Sequence, residues 1–187
     1  MNGYALVELL HVFFAIIWVG GGFTLLFAAE IARRKHGPGG AMAVVDIVAL
    51  LGPPLFVPVS LLTVASGVIT AWIGGEFSQL WVSLGLAGFV ATFLNGVLLI
   101  KPRAEKLSAM GAAKGKDNPA LVPFADNLLT IVRFDYVILT LVVADMVLKP
   151  MSGNWVELSG MAVLLVIGMA FTLVPGMKQQ AVAEKAG

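Results

Sequence analysis

No cysteine occurs in the 187 residues. That excludes disulfides, thiolate metal sites and a cysteine nucleophile, and it leaves the redox compartment unreadable. Charge is scarce too: Asp, Glu, Lys and Arg make up 12% of the chain, about half the usual share in soluble domains. Only two histidines are present, His11 and His36. No phosphate-binding glycine loop, nucleophile elbow or paired-histidine metal motif occurs. Gly37-Pro38-Gly39-Gly40 reads as a turn. A net charge of +1 offers nothing to a nucleic acid, so none is expected as a partner.

What is abundant is apolar. Hydrophobic residues reach 59% and the mean hydropathy is +0.94. A soluble fold of this length has too little interior to hide them. Lipid as solvent removes the difficulty, and spans in lipid are helices or closed barrels. The apolar runs are too long for barrel strands and lack alternation. The sequence therefore predicts an all-α membrane protein, a single-domain bundle of five transmembrane helices over about 4–29, 47–75, 77–100, 128–148 and 158–177. Glu8 interrupts the first run and no basic segment precedes it, so a retained helix is expected there, not a signal peptide. Pro53, Pro54 and Pro58 predict a kink or broken turn in the second helix. The segment 101–127, rich in Gly, Ala and Lys, reads as a mobile loop with a short amphipathic helix.

Loop charges predict orientation. Arg33, Arg34, Lys35, Lys101, Arg103, Lys106, Lys114, Lys116, Lys178 and Lys185 fall on one side and Lys149 alone on the other. The positive-inside rule places the N-terminus outside and the C-terminus in the cytoplasm. Trp81 and Trp155 fall near the outer boundaries, as interfacial aromatics do.

Ionisable residues inside spans are costly and mark candidate sites. They fall into two layers. The outer layer holds Glu8 and His11 on the first helix and Asp145 on the fourth. Glu8 and His11 are three apart and share a face that runs on through Ala15, Trp18 and Gly22. A carboxylate beside His11 would fix its tautomer and strengthen it as a ligand. The plainer reading is a histidine bonded to a backbone carbonyl or to Glu8. The inner layer holds Asn95, Arg133 and Asp135, with Glu30 and Asp46 near the ends of the first two helices. Arg133 is expected to pair with one of the acids, as a structural pair. Met146, Met151 and Met161 read as packing residues, and Gly20, Gly21 and Gly22 as a close helix contact.

Two segments carry a family resemblance. One is His11 followed by Trp18, Gly21 and Phe23. The other is Arg133-Phe134-Asp135, then Val142, Val143 and Val147-Leu148-Lys149-Pro150. In this order they resemble the membrane families of HemJ-type protoporphyrinogen oxidase and the CopD copper-resistance domain, and most nearly their uncharacterised relatives. The resemblance implies haem b bound by His11 in the setting of Trp18 and Gly21, with Glu8 or Asp145 supporting it. It also implies a HemJ-like oxidoreductase or electron carrier and a bacterial plasma membrane. The family's lysine early in the third helix is absent here, where Ser83 stands, and Asp135 occupies the region of its Asn–Glu pair.

The two histidines limit that haem. They are 25 positions apart, about 37 Å along a helix, so one chain cannot supply both axial ligands. The alternatives are five-coordinate iron on His11, a mixed pair such as His–Met, or two His11 residues across a dimer axis. Two other functions fit the composition: a non-catalytic membrane subunit held by a membrane partner, and a small transporter or copper-handling protein. Beyond the bilayer, the expected partners are a second copy or a membrane-complex subunit.

Overall fold

In the structure, a computed structural model, the backbone is described for residues 2–185 and side chains for residues 2–172 apart from Pro38. Lys178 and Lys185, counted above for orientation, lie outside the described side chains. Among the described residues the chain is helical, without strands. Five long helices carry it: α1 (Gly3–His36), α2 (Gly39–Ile73), α3 (Leu80–Lys114), α4 (Val122–Leu148) and α5 (Trp155–Lys185). By length and composition α1, α2, α3 and the Trp155–Thr172 part of α5 suffice to cross a membrane. The remaining helix, α4, is the charged one, with Asp126, Arg133, Asp135 and Asp145.

The helices outrun the expected spans. α1 has 34 residues and α2 and α3 have 35 each, or about 51 Å at 1.5 Å per residue. The hydrocarbon core is only about 30 Å thick, so their ends project from it. α1 runs on to His36 and stops at Gly37, whose φ of 69° favours glycine. Pro38 opens the next helix directly. The expected loop over 101–127 is replaced by helix as far as Lys114. Its Ala104, Leu107 and Gly111 are buried, and this packing orders the segment. Ala104 and Leu107 join Met42, Val45, Leu121, Ala125 and Leu128 in the main apolar cluster. The densest core thus forms at the basic end, where water drives burial, whereas lipid offers no such drive between helices.

α1 and α2 form an antiparallel pair along their whole length, and α4 is the hub that touches α1, α2, α3 and α5. Outward faces are apolar: Trp155, Val156 and Phe171 are 73%, 84% and 80% exposed. Trp155 thus has the exposure an interfacial aromatic needs. Trp81 does not; it is buried, with the Lys149 ammonium 4.7 Å from its ring centroid.

Each of the first three helices contains one π-helical turn: Ile16–Gly20, Gly52–Phe56 and Gly96–Ile100. The second takes up Pro53 and Pro54, whose missing N–H groups the wider turn tolerates. The kink expected from the prolines has this form.

Candidate functional site

The His11 imidazole sits in the seam between α1 and α2. Its Nδ1 lies 2.7 Å from the Thr63 carbonyl oxygen, so Nδ1–H donates and Nε2 keeps its lone pair. The ring lies against Gly67, where a Cβ would come within 2.7 Å of Cε1 and 2.9 Å of Nδ1. Glycine is therefore what admits the ring. The seam carries a row of hydroxyls that the sequence reading missed. Ser60, Thr63 and Ser66 are buried, with Thr70 one turn further. Each donates to its own helix: Thr63 Oγ1 to Val59 O at 2.8 Å and Ser66 Oγ to Leu62 O at 2.6 Å. Their spacing in an uncharged helix was the available signal.

The outer-layer residues do not meet. Glu8 is exposed, and no ion pair joins it or Asp145 to His11 among the described residues. A backbone carbonyl, not a carboxylate, holds the imidazole. Asp145 is 1% exposed and faces α3 over Gly85. Neither of its carboxylate oxygens has a hydrogen-bond partner among the described residues. Trp18, in the π turn of α1, packs edge-on to Phe89 of α3 with centroids 5.7 Å apart. Gly21 lies against the Phe56 ring of α2. His11, Trp18 and Asp145 thus serve three different helix contacts.

The inner layer is fully paired. Asn95 Nδ2 donates to Asp135 Oδ1 at 2.8 Å, tying α3 to α4. Arg133 Nη2 meets Glu30 Oε2 at 2.7 Å. The other Glu30 oxygen accepts from Arg33 at 3.1 Å and Arg34 at 2.9 Å. Arg33 also reaches Asp126 at 3.4 Å. Glu30 thereby contacts three guanidiniums, and its ion pair with Arg133 is how Arg133 is tolerated at this depth. Nearer the loops, Asp46 accepts from Ser108 at 2.6 Å and pairs with Lys116.

Between α1, α2, α3 and α4 lies a cavity of about 170 Å³. All three π turns line it, through Trp18, Gly52 and Phe56, and Gly96. Asp135 and Tyr136 line it from α4. The sequence reading put Trp18 on the face of His11 and Asp135 in the inner layer; both line this cavity. Among the described residues no group of three or more His, Asp or Glu is placed to hold a metal ion.

No curated protein and no solved structure matches the chain. Residues 5–150 match the family described as predicted integral membrane protein (DUF2269). The matched stretch takes in α4 with its Arg133-Phe134-Asp135 segment, and the structure supplies four helices of membrane-spanning length and composition. The chain is an integral membrane protein and belongs to this family.

Proposed function

We propose that this chain is a haem-b-associated membrane protein of HemJ/CopD-like ancestry with a redox or electron-transfer role, and that His11 Nε2 is the iron ligand. One observation carries the reading. The Nδ1–H bond to the Thr63 carbonyl sets the tautomer, which leaves Nε2 as a lone-pair donor with no hydrogen-bond partner among the described residues. Histidine ligands of metals are generally oriented in this way by a carbonyl or carboxylate on the other nitrogen. Haem b supplies one-electron chemistry when bound.

The chain's own part is to hold the imidazole. Gly67 leaves room for it and Thr63 fixes its rotation. The second axial position stays with the alternatives above, because His36 ends α1 in its last turn. His11 does not line the inter-helix cavity, so the haem reading does not place the group there. In the same reading the basic end faces the cytoplasm of a bacterial cell. Protoporphyrinogen oxidation is not included, because Ser83 stands where that family's lysine would be.

The test is an absorbance spectrum of the protein purified in mild detergent after expression with ample haem, oxidised and dithionite-reduced, beside His11→Ala. A Soret band that the variant loses is expected. A colourless wild-type protein overturns the reading and favours the membrane-subunit alternative. That alternative has its own motive: the Trp155–Thr172 segment has no buried residue and leaves most of its surface to lipid or to a partner.

A further inference from the structure

His11 does not line the cavity at the π turns. Two of its glycines are unlike the others. Gly22, Gly85 and Gly88 are glycine because a neighbouring side chain fills the space of a Cβ. Gly52 and Gly96 line the cavity, yet a Cβ on either meets nothing within 4 Å. No neighbouring side chain requires glycine at these two positions. Each begins a π turn, an irregularity that often marks functional sites.

The walls suit a flat ring. Trp18, Phe56, Phe93 and Tyr136 line the space from all four helices, and aromatic faces and edges favour another ring over a flexible chain. A volume of about 170 Å³ holds one six-membered ring with small substituents, since about 150 Å³ holds benzene. Polar side chains are few, and one of them, Lys101, belongs to the basic end. Asp135 stands midway along α4. Its Oδ1 accepts from Asn95, and the residue lines the cavity. The adjacent Tyr136 hydroxyl makes no hydrogen bond among the described residues. Ser60 and Thr92 also line the cavity, but their hydroxyls donate to their own helices. A mostly apolar pocket with a few convergent polar groups is the form small-molecule sites take.

We propose that this cavity binds a lipid-soluble molecule with a single carbonyl- or hydroxyl-bearing ring, of the quinone class: the Tyr136 hydroxyl donates to a ring oxygen, and Asp135 accepts from a ring hydroxyl in the quinol form. An acyl chain would leave both polar groups unused. A prenylated quinone resides in the bilayer, beside this site.

The test uses the full chain in detergent, titrated with a decyl-substituted benzoquinone while tryptophan fluorescence is read. Trp18 lines the cavity, so saturable quenching is expected, with much of its amplitude lost in Trp18→Phe. Gly96→Leu and, independently, Gly52→Leu fill open space and should raise the half-saturation concentration at least ten-fold. Their folding is checked by circular dichroism and elution volume. Tyr136→Phe removes one hydrogen bond and should weaken binding about five-fold. His11→Ala should leave the titration unchanged, so failure of the haem reading leaves this one standing. Quenching that does not saturate, or that is identical in wild type and both leucine variants, means partition into the micelle and overturns the proposal. Equal competition by a ringless decyl alcohol overturns it as well, in favour of an alkyl-chain site.

Discussion

The hydroxyl of Tyr136 on α4 occupies the space that a Cβ on Gly22 of α1 would fill. The Tyr136 ring also lies against Phe23, with centroids 4.5 Å apart. Gly22→Ala should therefore overpack the crossing and cost about 1–3 kcal/mol. Adding Tyr136→Phe should return part of that loss, because it deletes the atom that clashes most. Thermal unfolding of both variants in one detergent decides it. Full stability of Gly22→Ala alone would show that the helices separate freely at this point.

Asp135 and Asp145 are both buried aspartates on α4, yet they should respond oppositely. Asp135 accepts from Asn95, so Asp135→Leu strands a buried amide and should destabilise by about 1–3 kcal/mol. Asp145 has no partner for either oxygen among the described residues. Asp145→Asn keeps the shape and removes the cost of burying a carboxyl group that can carry charge. Stability should be unchanged or higher. A marked loss in Asp145→Asn would mean that the carboxyl group binds an ion or proton the fold depends on.

The Glu30 network should show measurable coupling. Arg133→Gln and Glu30→Gln each break the 2.7 Å contact. Both side chains retain some exposure, so a double-mutant cycle should give about 1 kcal/mol. Glu30→Gln should cost more than Arg133→Gln, because it also releases Arg33 and Arg34. Equal costs would show that those two arginines are satisfied by solvent.

Gly67→Ala tests the His11 seam without touching the imidazole. The new methyl would stand within 3 Å of the ring, forcing it off the Thr63 carbonyl. Haem retention should fall towards the level of His11→Ala, read as the Soret-to-protein absorbance ratio. An unaltered ratio in Gly67→Ala, together with a lost one in His11→Ala, would remove the Thr63 bond from the account of ligand orientation.

Orientation is testable because the chain has no cysteine. Single cysteines at Lys114→Cys and Gly153→Cys sit at opposite ends of the bundle, the second where a Cβ meets nothing within 4 Å. With the basic end inside, a membrane-impermeant maleimide should label the second in intact cells and the first only after permeabilisation. The reverse pattern would contradict the placement drawn from loop charge.

The membrane class, the helical fold and the expectation that Arg133 is paired were legible in the sequence. Each rests on quantities additive along the chain: apolar run length, charge density and the cost of an isolated guanidinium in lipid. The helix ends were less legible. Hydropathy ends where the lipid ends, whereas backbone hydrogen bonding continues to Gly37 and Lys114. Partnerships between helices lay beyond the sequence. Glu8, three residues from His11, looked like its support, but a carbonyl 52 positions away holds the ring. The π turns decided the rest. A residue inserted into a helical repeat rotates everything after it, so stripes drawn at 3.6 residues per turn place Trp18 with His11. The tertiary structure instead turns Trp18 towards Phe89 and the cavity. Composition determined that this chain lives in lipid; only the packing of α4 against three irregular helices determined that they line a ring-sized space beside Asp135 and Tyr136.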